Sequence, residues 1–276
     1  MAEARTRPGG LTRWAVTLPP AAFLVAFFLL PALIVVLASF RATGEFGGLA
    51  PLAGLAGLTL DAYGFLLGDV IYAEIFARSF AVAALTTLVC IVLAYPLAWL
   101  IARSPRQRRD FLVLLVILPF ASNFLVRIYA WIMLLGPAGL LYTPFAVVAG
   151  LVYVHLPFMV LPLYTNLEKH DPALLEAAQD LGANAWTRFW RVTFPLSLPG
   201  VISAITLVFV PTIGDYVTPD LVGGPRGGMI AKMVYNGFKA SDWPLAAATA
   251  ILSMVFVAFV AFFLIQAIRL SVRSVK

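Results

Sequence analysis

The stretch EAAQDLGANAWTRFWRVTFPLSLPG (176–200) is a polar, two-part amphipathic segment in an otherwise apolar sequence. Just upstream, Asp171 followed by Pro172 reads as an N-cap with proline in the first turn of a helix. Leu174, Leu175, Ala178 and Leu181 repeat at helical spacing and form one apolar face, with Glu176, Gln179 and Asp180 on the other. Gly182 follows directly, where a C′ residue with positive φ is needed. Asn184 caps a second short helix with an apolar stripe of Trp186, Phe189 and Trp190. Arg188 and Arg191 sit toward its C-terminal end, where the helix dipole favours cations. Pro195 and Pro199 mark the start of the next segment. The stretch therefore predicts a helix–glycine–helix elbow carrying large aromatics. Two roles suit such an elbow: a hairpin lying among lipid headgroups, or an insert that docks into a groove of a soluble partner.

The surrounding chain decides what the elbow interrupts. Its 276 residues are 62% hydrophobic and 12% charged, with a mean hydropathy of +0.96. Soluble domains carry about 25% charged residues, and a membrane-spanning helix needs about 20 mostly apolar ones. Six stretches reach that length, at roughly 14–40, 79–102, 111–135, 144–167, 194–216 and 245–268. The expected fold is all-α: a polytopic integral membrane protein with six transmembrane helices, a single domain over 1–276, with the elbow in the 168–193 loop. The first stretch follows Arg5, Arg7 and Arg13, as in a signal peptide. It is too long for an ordinary signal core and lacks a small-x-small cleavage site, so it reads as an uncleaved span. Prolines recur inside the spans (Pro31, Pro96, Pro119, Pro157, Pro162, Pro211) and favour kinks, as in a bundle that moves or encloses a polar path. Cys90 is the only cysteine, which excludes an intrachain disulfide.

The distribution of basic residues gives the orientation. With the N-terminus inside, the cytoplasmic segments hold Arg5, Arg7, Arg13, Arg103, Arg106, Arg108, Arg109, Lys169, Arg188, Arg191, Arg269, Arg273 and Lys276. The outer segments hold only Arg41, Arg78, Arg226, Lys232 and Lys239, and Arg127 lies within a span. Both termini and the elbow are thus expected on the cytoplasmic side of the membrane. The formal charge of +6 comes from these span-flanking bases. No Lys/Arg-rich run with interleaved aromatics points to nucleic acid.

In this setting the elbow resembles a known element. EAA at 176–178, Gly182, and an apolar run into LP are similar to the EAA loop of ATP-binding-cassette importer permeases, which implies the type I importer permease fold. By that resemblance Glu176, Ala177, Ala178 and Gly182, with Trp186 and Arg188, couple to an ATPase. The alanines permit close packing, Gly182 makes the turn and Glu176 provides a polar contact. RSFAVAALTTLVCIVLAYPLAW (78–99), LPFASNFLVRIYAWIMLL (118–135), LPFMVLPLYTNLEKHDPALLEAAQDLGA (156–183), VPTIGDYVTPDLVGG (210–224) and DWP (242–244) resemble the spermidine/putrescine importer permeases, the first of the two permeases more than the second. The loop GPAGLLYTPF (136–145) is shorter than is usual there. The resemblance implies a second permease, a cytoplasmic ATPase dimer that uses ATP and magnesium, and a periplasmic or extracellular substrate-binding protein. This chain itself would bind no cofactor and no metal, and would contact membrane lipid.

The sequence lacks the phosphate-binding G-x-x-x-x-G-K-S/T pattern, so a pump of this class needs its motor in another chain. Zinc-protease and serine-hydrolase patterns are also missing, and His155 and His170 fall in different environments. An ion-coupled carrier is the other class to weigh, but repeated halves with paired intramembrane charges are not evident. For a substrate path the candidates are Asp215 and Tyr216 at the end of the fifth span, and Asn123, Tyr129 and Trp131 along the third. Outer acids exceed outer bases, which suits a cationic solute held by carboxylates and aromatic faces. Arg127 either snorkels to the interface or braces an acid such as Asp215. His155 is expected to hydrogen-bond between helices.

Overall fold

A computed structural model describes residues 10–51 and 57–274. Arg5, Arg7 and Lys276, used above for orientation, lie outside the described residues. Contacts divide the chain into two compact units, one formed by the residues up to Gly68 with Asn236–Ile251, the other by Asp69–Tyr235 with the residues from Leu252 on.

In the first unit, helix α1 (Gly10–Leu24) runs through a π segment (Val25–Leu29) into α2 (Leu30–Ser39). A short helix α3 (Asp61–Gly68) is tied back to it, the Tyr63 hydroxyl donating to Ser39 Oγ at 2.8 Å. Two isolated bridges, Arg41 with Leu58 and Thr43 with Leu49, shape the intervening loop. Thr43 Oγ1 also donates to Asp242 Oδ1 at 3.0 Å.

The second unit is a helical bundle around α4 (Val70–Arg103), α7 (Pro144–Leu167) and α10 (Phe194–Gly214). Each of the first two starts where a side chain caps it: Asp69 Oδ1 accepts from Ile71 N at 2.9 Å, and Thr143 Oγ1 from Ala146 N at 3.2 Å. Cys90, Ala94 and Ala98 line one face of α4 at a four-residue interval and are fully buried against Met159, Val160 and Leu163 of α7 and Ala204 and Val208 of α10. Small residues let the backbones approach where lipid supplies no hydrophobic drive. Gly200 of α10 shows the limit: a Cβ there would lie 2.5 Å from Asn166 Cβ. Hydroxyls inside the bundle bond back along their own helices, Thr87 to Ala83 O at 2.7 Å and Thr212 to Val208 O at 2.6 Å. A second apolar cluster joins Ile128 and Leu135 of α6 (Phe124–Leu135) to Ala146, Val147 and Leu151 of α7 and Val222 of α11 (Val217–Gly223). A third packs Ala83, Phe209 and Ile213 with Val257 and Val260 of α13 (Trp243–Ser274).

Among the described residues, five helices are long and apolar enough to cross a membrane: Val16–Ser39, Val70–Arg103, Pro144–Leu167, Ala185–Gly214 and Trp243–Phe263. The expected third span departs from a single rod. Helix α5 (Arg106–Ile117) tightens into a 3-10 turn (Leu118–Ala121), breaks, and meets α6 at a 90° bend. Pro119 lacks an N–H and Asn123 starts a new helix by accepting from Leu125 N at 2.8 Å, so the chain is stopped and restarted within five residues. Counted as one span, the bent pair makes the sixth.

Candidate functional site

The elbow folds from local capping. Asp171 Oδ1 accepts from Ala173 N at 3.0 Å and opens α8 (Pro172–Asp180), with Pro172 in its first turn. Gly182 closes it at φ +79°. Its N–H donates to Gln179 O at 2.8 Å, and Ala183 N donates to Ala178 O at 3.0 Å, the paired bonds of a Schellman turn. Asn184 Oδ1 accepts from Thr187 N at 2.8 Å and starts α9 (Ala185–Arg188). Arg188 Nη1 then donates to Gln179 Oε1 at 2.7 Å, fastening the two helices across the glycine. Glu176 and Ala177 are exposed on α8, and Ala178 is half-buried. Leu174, Leu181 and Trp186 point outward, Leu181 89% and Trp186 71% exposed, so the elbow presents apolar side chains that its own bundle does not cover.

One expectation is revised here. The second elbow helix does not stop before the fifth span. It continues through a π segment (Phe189–Thr193) into α10, giving one helix from Ala185 to Gly214. Pro195 has no N–H to give the turn before it, and the π segment lies immediately upstream, where that misfit is taken up. Beyond the exposed Trp186 the aromatic side chains gather beside α4: Phe189 meets Tyr95 edge-on at 5.5 Å, Trp190 and Phe194 lie 5.1 Å apart, and the Tyr95 hydroxyl bonds Ser197 Oγ at 2.8 Å. These rings line an apolar cavity of about 480 Å³ with Ile91, Pro96 and Trp99. On the other flank, Arg109 of α5 pairs with Glu168 at 2.8 Å just before the elbow begins. His170, between α7 and α8, bonds the Leu196 carbonyl, and burial holds its imidazole below the ordinary value.

At the far end of α10 the candidate path residues separate. Asp215 turns inward to cap α11, its two oxygens accepting from Thr218 N at 3.1 Å and Thr218 Oγ1 at 2.7 Å. Tyr216 stacks on Tyr235 of α12 (Ile230–Lys239), with centroids 4.9 Å apart and rings 14° from parallel. Asp220 pairs with Lys232. The backbone here is tightly packed: Tyr142 stands at φ +62°, and a Cβ on Gly224 would lie 2.5 Å from its ring. Asn123 is spent capping α6, Tyr129 is exposed, and Trp131 packs edge-on against Tyr153 at 5.7 Å. Arg127 forms no ion pair with Asp215. Its guanidinium lies 5.8 Å from the rings of Phe120 and Phe124, and its buried Nε and Nη1 have no hydrogen-bond partner among the described residues. The His155 bond runs along its own helix, to Leu151 O at 2.9 Å, rather than between helices. Sequence reading reached Asp215 and Tyr216 but passed over Tyr235 and counted Lys232 only as loop charge. Their partners are separated by 12 residues or more, and no short pattern marks such pairs.

Comparison with known proteins places this geometry in a family. Residues 94–274 match the family described as binding-protein-dependent transport system inner membrane component. The chain is 39% identical over 247 residues to the spermidine/putrescine transport system permease protein PotB of Escherichia coli (strain K12), covering 83% of this chain and 88% of that protein. It is 35% identical over 274 residues to the protein of the same name from Haemophilus influenzae, covering 92% and 93%. Among solved structures it is similar to a chain of a bacterial alginate ABC transporter in complex with alginate pentasaccharide-bound periplasmic protein, with a TM-score of 0.71 at 16% identity and 92% of each chain covered. A bundle of apolar helices interrupted by a capped elbow, matched over most of its length, makes this chain a member of the inner-membrane permease family of binding-protein-dependent transport systems.

Proposed function

We propose that this chain is one of two permease subunits of an ATP-driven polyamine importer, with spermidine and putrescine as its substrates. The observation that carries the substrate is the 39% identity over 83% of the chain to a permease bearing those names. The acids and tyrosines gathered at the far end of α10 are the chemistry that a polyvalent ammonium requires.

In this reading both termini and the elbow face the cytoplasm, and the exposed Leu174, Leu181 and Trp186 seat in a groove of a separate ATPase dimer. That dimer binds ATP and magnesium, this chain holds no cofactor or metal, and a substrate-binding protein delivers solute from outside. Glu176 meets the ATPase surface with a polar contact. The bond from Arg188 to Gln179 makes the two elbow helices move together, so closure of the ATPase displaces them as a unit. The displacement favours one access state only because the elbow's contacts differ between the two.

Uptake of labelled spermidine and putrescine is compared in cells with and without this chain, with opines, thiamine and aminophosphonates as unlabelled competitors. Loss of polyamine uptake on deletion, restored by complementation, is the expected result. Unchanged polyamine uptake removes the substrate reading.

A further inference from the structure

Two contacts at the far end of α10 form a single arrangement. Asp220 N donates to Tyr216 O at 3.1 Å, so these residues lie one helical turn apart on the same face. Lys232 and Tyr235 are three apart on α12 and likewise share a face. The two faces meet twice, through the stack of Tyr216 on Tyr235 and through the Lys232 ammonium donating to Asp220 Oδ1. An ammonium on a flexible alkyl stem thus rests on a carboxylate, and one helical turn away a stacked pair of phenol rings joins the same two segments. A primary amine ligand needs that set of groups: a charge-assisted acceptor with aromatic faces alongside. Asp215, the other acid here, is occupied on both oxygens by Thr218. Asp220 keeps 41% of its side chain exposed and Lys232 22%, so the carboxylate is reachable from solvent.

We infer that Asp220, Tyr216 and Tyr235 form a binding site for one primary ammonium group, and that Lys232 fills it in the resting chain as a tethered stand-in for the substrate. This rests on the polyamine reading above. An arriving polyamine places one terminal ammonium on Asp220 as Lys232 leaves, so the carboxylate trades one cation for another and is never left unpaired at the edge of a low-dielectric region. The exchange also releases the charge link between α11 and α12. It gives the site a threshold: only a ligand that brings its own ammonium to Asp220 displaces Lys232.

The test uses the permease pair with its ATPase dimer in nanodiscs, without the binding protein. An amine-acetylating reagent is applied with and without saturating spermidine, and acetylation of Lys232 is quantified by mass spectrometry against Lys239 of the same helix. Spermidine is expected to raise Lys232 acetylation severalfold relative to Lys239. Binding of labelled spermidine to the same complex is then measured for variants. Lys232→Gln tightens binding by roughly tenfold, Asp220→Asn weakens it by a similar factor, and the double variant follows Asp220→Asn. Asp220→Glu retains binding, which separates loss of the carboxylate from loss of the fold. Acetylation of Lys232 that ignores spermidine, or a double variant restored to wild-type affinity, makes the pair a structural tie and overturns the inference. The cellular uptake assay stands apart: wild-type cells that take up no polyamine overturn both readings, whereas polyamine uptake with unresponsive Lys232 overturns only the exchange.

Discussion

The elbow and the far end of α10 are both made of short helices, yet they are held in opposite ways. Between Asp171 and Arg188 the capping and side-chain bonds that shape the elbow join residues no more than nine apart: Asp171 to Ala173, Gly182 to Gln179, Ala183 to Ala178, Asn184 to Thr187 and Arg188 to Gln179. At the far end the partners are distant. Tyr142 N donates to Val222 O at 2.9 Å, Ile230 N to Ser79 Oγ at 2.9 Å, and Asp220 pairs with Lys232. A locally bonded piece keeps its shape wherever it is carried. A piece bonded across elements changes shape whenever those elements shift. The elbow is therefore suited to transmit a displacement, and the far end to be remodelled by one.

The largest expected effect tests the local half. Gly182→Pro places a φ near −65° where the chain holds +79° and removes the N–H bonded to Gln179, at a cost of about 3 kcal/mol or more. The variant should insert normally but lose its ATPase on copurification, while spermidine binding at the far end persists. Retention of the ATPase at wild-type yield would break the assignment of the elbow.

An intermediate effect tests the distant half. A Cβ on Gly223 would stand 2.5 Å from Val147 Cγ2 on α7, so Gly223→Leu forces α11 off the bundle at about 1–3 kcal/mol. Thermal unfolding of the detergent-solubilised protein should shift down and spermidine binding should fall, with ATPase copurification unchanged. If the ATPase were lost as well, the two regions would not be separable.

The smallest effect sharpens the boundary. Asn184→Ala removes one cap, at about 1 kcal/mol. Amide hydrogen exchange should accelerate over 185–188 and stay unaltered over 217–223. Exchange that rises at both places would show the elbow to be less self-contained than its bonds indicate.

The same contrast governs what was legible in the sequence. Asp171–Pro172, Gly182 and Asn184 were readable because each cap is decided within three residues of itself, and the spans because each is about 20 apolar residues long. The 90° break after Ala121 was hidden although Pro119 and Asn123 both signal it, because an apolar run on each side outweighs a two-residue interruption in any average. The continuation of α9 into α10 was hidden for the opposite reason: Pro195 and Pro199 read as the start of a new segment, yet a π segment just upstream absorbs the misfit and the helix runs on. The stack of Tyr216 on Tyr235 and the pair of Asp220 with Lys232 had no local signature, since α11 and α12 acquire their relation only from the folded chain.

The unbroken run from Ala185 to Gly214 has a mechanical meaning. Thirty residues of helix measure about 45 Å, and this rod begins in the elbow and ends one residue before Asp215. Gly200, pressed against Asn166 near its middle, is the contact about which the rod would pivot. A push at one tip about such a fulcrum swings the other tip in the opposite sense, by an amount set by the ratio of the two arms. Gly200 lies 15 residues from Ala185 and 14 from Gly214, so the arms are nearly equal and the gearing is close to one to one. An ångström gained at the elbow would then reappear as an ångström at Asp215, less whatever Pro199 and Pro211 let the rod bend.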